Sequence, residues 1–130
     1  MITSENRLKL LRQLLNRKGF VRIIEAHNGI SALVGESAKV QTKLGSVEYD
    51  GLWESSLTDS ASKGLPDVEI VSPDSRINTI NEIIEVTSKP IIVDGDTGRS
   101  PVEFEYLVRR LDLSVNEERI VTVPKMYLTG

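Results

Sequence analysis

The chain contains no cysteine, which removes disulfides, thiolate nucleophiles and cysteine–zinc centres together. It has one histidine, His27, so a multi-histidine metal site and a histidine–histidine proton relay are excluded. Aromatic residues are scarce, at 5% of the sequence, with Trp53 the only tryptophan. No apolar run approaches the ~20 residues of a membrane span, and no membrane partner is expected. Residues 1–20 form a charged amphipathic stretch without the apolar centre of a signal peptide, so a cytoplasmic location is expected. Positive charge is not in excess either. The 16 Lys+Arg face 19 Asp+Glu, a net charge of −3, which argues against nucleic acid as a partner. The chemistry that remains runs on carboxylates, hydroxyls, Lys and Arg, backbone amides, or a hard metal held by oxygen.

What is present describes a globular α/β chain. Its 130 residues suit one domain, and 39% hydrophobic with 27% charged residues set it apart from disordered sequences. Residues 4–18 predict a helix, with Leu8, Leu11, Leu14 and Leu15 on one stripe and Gly19 as its stop. Phe20 to Ala26 is β-branched and predicts a strand, closed by the turn residues His27, Asn28 and Gly29. A helix is expected over Ile30–Lys43, stopped by Gly45, then a second strand over Glu48–Trp53. Glu54 to Pro73 reads as a long loop. Asp74 or Ser75 is expected to cap a helix to about Thr87, with Ile77, Ile80, Ile83 and Ile84 on its buried side. Lys89–Asp94 predicts a third strand whose unbroken apolar run suits a parallel sheet. Pro101–Leu111 predicts a last helix, with Phe104, Leu107, Val108 and Leu111 facing inward. Alternating strands and helices imply parallel strands in right-handed βαβ units. Residues 112–130 form a divergent tail with a candidate strand at Ile120–Val123 and no further helix. The pattern reads like the opening of a larger α/β fold, since a (β/α)8 barrel needs about 250 residues.

Parallel α/β folds bind ligands beyond the carboxyl ends of their strands, and three such ends are polar here. Asp94-Gly95-Asp96-Thr97-Gly98 places two carboxylates two residues apart after a buried strand. That donor set suits Mg²⁺, which takes one or two carboxylates and keeps waters or substrate oxygens. The same residues could instead cap the following helix. A calcium loop of the EF-hand type is disfavoured, because Arg99 stands at the required glycine and a strand precedes the loop. Trp53-Glu54-Ser55-Ser56-Leu57-Thr58 can present hydroxyls and amides to an anion, or form a solvated turn, with Trp53 as pocket wall or plain core. His27 suits a turn, with acid–base chemistry or metal ligation as the alternatives, and Asp67 is a loop carboxylate on local grounds. Arg76, Arg109 and Arg110 are expected on exposed helix faces.

Four segments taken together resemble the phosphoenolpyruvate mutase family of the isocitrate lyase superfamily. They are Glu25–Ala32, Gly51–Leu57, Asp59–Asp67 and Val93–Gly98, and the resemblance covers about Leu8 to Leu111. It implies the first three βα units of a (β/α)8 barrel over residues 1–111, truncated before the divergent tail. It also implies Mg²⁺ as cofactor, phosphoenolpyruvate or phosphonopyruvate as the small-molecule substrate, and homo-oligomers. On the family's pattern Asp94 matches the direct metal ligand, and Asp96 a metal-site Asp acting through water. Asp67 matches an Asp near metal and substrate. Trp53 matches the pocket tryptophan, and Ser55, Ser56 and Leu57 match the segment that holds the substrate carboxylate. Ser56 stands where other mutases carry glycine, and Arg99 where the family has a second glycine. The family's Glu-Asp-Lys motif, its lid, and its later Arg and His cannot be aligned after Leu111. The chain is therefore expected to hold the metal and carboxylate half of a mutase site, with activity below detection, and to be poorly soluble, oligomeric or marginally folded. Two alternatives stand beside it: a carbon–carbon lyase or decarboxylase of the same superfamily, and a non-catalytic fragment.

Overall fold

Every described strand is four residues long, and the fold is built on how those short pieces pair. The computed structural model describes residues 10–97, 100–115 and 120–123. In chain order the elements are α1 (Leu10–Lys18), β1 (Ile23–Ala26), α2 (Gly29–Ser37), β2 (Lys39–Thr42), β3 (Gly45–Glu48) and β4 (Gly51–Glu54). They continue with α3 (Ser56–Ser62), α4 (Pro73–Val86), β5 (Ile91–Asp94), α5 (Pro101–Val115) and β6 (Ile120–Val123). The main sheet has the order β1-β4-β5-β6, and all three pairings are parallel. The expected parallel α/β architecture is thus observed. The candidate strand Ile120–Val123 adds a fourth strand after the third βα unit. The boundary drawn at Leu111 falls within α5.

Local chemistry explains most of the boundaries. The turn at His27–Gly29 becomes a helix cap: Asn28 Oδ1 accepts from Ser31 N at 2.8 Å, and Ser31 Oγ accepts from Asn28 N at 3.1 Å. That reciprocal pair satisfies two donors that the first helical turn leaves free. Helix α2 stops at Ser37, short of the expected Lys43. Val40 and Thr42 are β-branched, and residues 39–48 fold back as an antiparallel hairpin, β2–β3. Gly45 takes a φ of 115° at the hairpin turn, where a side chain would be strained. The α4 cap also differs from expectation. Ser72, rather than Asp74 or Ser75, accepts from Ser75 N, and Pro73 occupies the first turn, where its missing N–H costs nothing. The stretch 54–73, expected to be loop throughout, contains α3.

One face of the sheet is covered and the other is open. Residues paired in register share a face, and successive residues alternate. Ala26, Leu52, Ile91 and Val93 lie on the covered face and pack with Ala32 of α2, Ile77, Ile80 and Ile83 of α4, and Leu107 of α5. The isoleucine stripe is therefore core, as its spacing predicts, with Ile84 packed at its margin. Of the apolar face expected on α5, Leu107 is described and buried; the side chains of Phe104, Val108 and Leu111 lie outside the described residues. On the opposite face Ile23, Glu25, Trp53, Ile92 and Asp94 are all half-buried. No described helix is long and apolar enough to cross a membrane.

Candidate active site

The site gathers at the carboxyl ends of β1, β4 and β5. Trp53 lies beside Glu25 of β1 and Ile92 of β5 on the open face, half-buried and outside the core cluster. Asp94 ends β5 on that same face. Ser55 is the N-cap residue of α3, with its side chain free of any cap bond, and Ser56 is buried in the first turn. Ser56 Oγ donates to Asp94 Oδ2 at 3.0 Å. The serine-bearing turn and the Asp-Gly-Asp turn are thus in contact, on neighbouring parallel strands.

The second carboxylate of the pair is placed by backbone geometry. Asp96 has a φ of 53°, in the left-handed region that an Asp enters more readily than most residues. Its N–H donates to Asp94 Oδ1 at 3.0 Å. The next amide, Thr97 N, donates to Glu69 Oε1 at 3.0 Å. Gly98 and Arg99, which complete the motif, lie outside the described residues.

Two further residues belong to this site and were not anticipated. Arg76, expected on an exposed helix face, is only 4% exposed. It sits four residues before Ile80 and seven before Ile83, on the buried stripe of α4, and that spacing is the signal that could have found it. Its guanidinium donates to Glu54 Oε2 at 2.5 Å, to the Asp94 carbonyl at 2.6 Å and to Asp96 Oδ2 at 2.8 Å. Glu54 ends β4 on the covered face and is fully buried. A charged residue at the end of an apolar strand gave no sign of which face it would take. Behind this pair, buried Asp59 accepts from Thr79 Oγ1 at 2.9 Å and pairs with Lys63.

The electrostatics follow from burial among like charges. Burial, with Asp59 and Asp94 adding to it, pushes the Glu54 carboxyl up to about 7 against the pull of Arg76. Burial also raises Asp96, helped by Asp94 and Glu69 and opposed by the Ser56 hydroxyl and Arg76. Arg76 is held charged: burial works against it, but Glu54, Asp96 and Asp59 outweigh that cost. Among the described residues, Glu54 Oε1, Asp59 Oδ2 and Arg76 Nε are buried without hydrogen-bond partners.

The remaining expected residues divide. Leu57 is in the first turn of α3 and 57% exposed, next to Ser56. Asp67 is exposed in the turn between α3 and α4, and among the described residues it makes no hydrogen bond or ion pair to Asp94 or Asp96. His27 Nδ1 lies 2.9 Å from Glu25 Oε1, and its backbone N–H donates to Ser31 Oγ. Arg109 is exposed and pairs with Glu105 along α5, as its position predicts. Arg110 is exposed too, with its guanidinium 5.9 Å from the Tyr106 ring centre.

The donor set fits a hard cation of the Mg²⁺ kind. Among the described residues no three Asp, Glu or His side chains converge as a ready metal cage. Asp94 and Asp96 nonetheless place two carboxylates in one turn, Asp94 on the open face, in an excess of carboxylates over Arg76 and Lys63. One or two carboxylates completed by water or substrate oxygens is the arrangement Mg²⁺ favours over a full protein cage.

Comparison with known proteins gives the arrangement a family context. The family model described as phosphoenolpyruvate phosphomutase matches residues 11–114. The chain is 30% identical over 96 residues to phosphoenolpyruvate phosphomutase of Tetrahymena pyriformis, covering 74% of this chain and 29% of that protein. It is 31% identical over 87 residues to 2-methylisocitrate lyase of Halalkalibacterium halodurans, covering 67% of this chain and 26% of that one. The solved structure of phosphonopyruvate hydrolase in complex with oxalate and Mg²⁺ superposes with a TM-score of 0.70 at 28% identity, covering 83% of this chain and 35% of that chain. The chain thus spans less than a third of the length of these two curated relatives.

Proposed function

This chain belongs to the phosphoenolpyruvate phosphomutase family, and from that premise we propose that it supplies the metal and carboxylate part of a Mg²⁺-dependent phosphoenolpyruvate mutase. Such an enzyme interconverts phosphoenolpyruvate and phosphonopyruvate. The observation that carries the reading is the hydrogen bond from Ser56 to Asp94. It brings a carboxylate able to hold a cation beside a turn able to hold an organic anion.

Each residue has a task in this reaction that needs no thiol or catalytic triad. Asp94, with Asp96 beside it, would hold Mg²⁺, which when bound supplies charge stabilisation for the pyruvyl oxygens. The Ser55 hydroxyl, free of a cap bond, and the backbone at Ser56 and Leu57 orient the substrate carboxylate. Trp53 walls the pocket and excludes water from one side. Asp67 stands on the loop nearest in sequence to this turn and is assigned to the substrate side. Phosphoryl transfer depends on positioning and electrostatic stabilisation, which such residues can provide.

The test is a titration of this chain with Mg²⁺ and oxalate, followed by Trp53 fluorescence and calorimetry. Oxalate binding that requires Mg²⁺ and disappears in Asp94→Asn is the expected result. Phosphonopyruvate should then displace oxalate. Displacement by 2-methylisocitrate but not by phosphonopyruvate would replace the mutase with a lyase, and oxalate binding without Mg²⁺ would remove the metal from the site.

A further inference from the structure

We propose that Arg76 is a positioning residue of this site: backed by Glu54, its guanidinium clamps the Asp94 carbonyl and the Asp96 carboxylate and so sets the turn that presents Asp94 to a divalent cation. The proposal rests on the metal reading above and concerns a residue that reading does not use. Arg76 comes from α4, on the covered side of the sheet, while Asp94 points to the open side. At 4% exposure Arg76 is sealed from solvent and engages the Asp94 carbonyl and the Asp96 carboxylate, so it acts through the turn that carries them.

The geometry is that of a clamp. One guanidinium nitrogen reaches both Glu54 Oε2 (2.5 Å) and the Asp94 carbonyl (2.6 Å), and the other reaches Asp96 Oδ2 (2.8 Å). A planar fork with five donors can serve three acceptors at fixed angles, which a lysine ammonium on a flexible stem cannot. Without the clamp, a left-handed non-glycine residue would relax toward commoner backbone conformations. The Asp96 N–H to Asp94 Oδ1 bond, which orients the Asp94 carboxylate, would loosen with it. Residues that orient metal ligands in this way typically govern 10–100-fold of metal affinity.

The decisive variant is the double substitution Glu54→Gln with Arg76→Met. Measured well above pH 7, where Glu54 is ionised, it removes one negative and one positive charge together, so the local charge sum is unchanged and any loss of cation affinity reports position. Replacing both members of a buried pair also avoids stranding one charge. In the full chain, the double variant should melt near the parent temperature, bind Mg²⁺ about 10-fold or more weakly by calorimetry, and exchange the Asp96 amide proton faster by NMR. Arg76→Lys should fall between the two in both readouts. Mg²⁺ binding as tight as in the parent, or unchanged Asp96 exchange, overturns the proposal. Should the double variant fail to fold, the same two readouts on Arg76→Lys decide, with parent-like values overturning it. If the parent chain itself shows no Mg²⁺ binding, or Asp94→Asn binds as well as the parent, the metal reading fails. Asp96 exchange then decides by itself whether Arg76 sets the turn.

Discussion

The Thr58 hydroxyl donates a 2.6 Å hydrogen bond to Glu25 Oε1, tying the first turn of α3 to the end of β1. Helix α3 carries Ser56, so this bond helps fix the serine turn against the strand beside Trp53. Thr58→Val keeps the shape and loses the donor. A hydrogen bond to a charged acceptor contributes about 1.5–3 kcal/mol, reduced here because Glu25 is partly exposed. A drop in melting temperature with a changed Trp53 emission is expected; an unaltered emission spectrum would mean that α3 is held from elsewhere.

Gly51→Ala should be costly for a reason of space alone. An added Cβ would lie 2.9 Å from the Pro90 carbonyl oxygen and 2.9 Å from Ile23 Cδ1. The carbonyl belongs to backbone that Leu52 N already engages across the β4–β5 pair, so it cannot retreat. Overpacking of this kind costs about 1–3 kcal/mol. Chemical denaturation should show the midpoint falling by that amount; a neutral result would mean the two strands separate more easily than their pairing implies.

Stability should decline as the solution becomes less acidic across the range set by Glu54. Burial raises its carboxyl from an ordinary 4.5 to about 7 in the folded chain. The native state therefore binds its proton more tightly than the unfolded chain does. That stabilisation is complete below about 4.5 and is lost as pH rises through about 7. Melting temperatures from pH 4.5 to 8 should fall in the parent and fall less in Glu54→Gln. Identical slopes for both would refute the assignment to Glu54.

Asp50 and Glu36 should act with the opposite sign. Asp50 is partly penalised by burial, but Lys18 and the Arg22 N–H, at 2.8 Å, hold it below its usual range. Glu36 is likewise lowered: the Thr87 and Ser88 hydroxyls and Lys89 outweigh its burial. Both contribute stability above their ordinary values of 3.8 and 4.5, and that stability is lost on acidification below them. Asp50→Asn should lower the melting temperature at pH 7 and make the acid limb shallower. An acid limb unchanged by that substitution would show that the Lys18 contact adds nothing in solution.

Much of this molecule was legible in local pattern. Strand β5, the isoleucine face of α4 and the alternation of strand and helix all follow from periodicity, because burial of one face imposes a repeat that needs no knowledge of distant residues. The meeting of Asp94 with Ser56 was also anticipated, since parallel strands in βαβ units bring their carboxyl ends to one edge. The β2–β3 hairpin was less accessible. Residues 39–43 suit a helix or a strand by composition, and the choice fell to Gly45 and to pairing with residues 45–48. Helix α3 was hidden because its seven residues, SLTDSAS, are small and polar and read as loop.

Residue types and their order along the chain were enough to fix the chemistry: oxygen donors without thiols, two carboxylates in one turn, and a strand-helix alternation that sends them to a common edge. Three-dimensional packing chose what stands behind those carboxylates. Glu54 and Arg76 are 22 positions apart, and nothing in either neighbourhood announces the other. Their pairing exists because a strand end and a helix face enclose the same small volume, where a buried charge persists only when an opposite charge arrives with it.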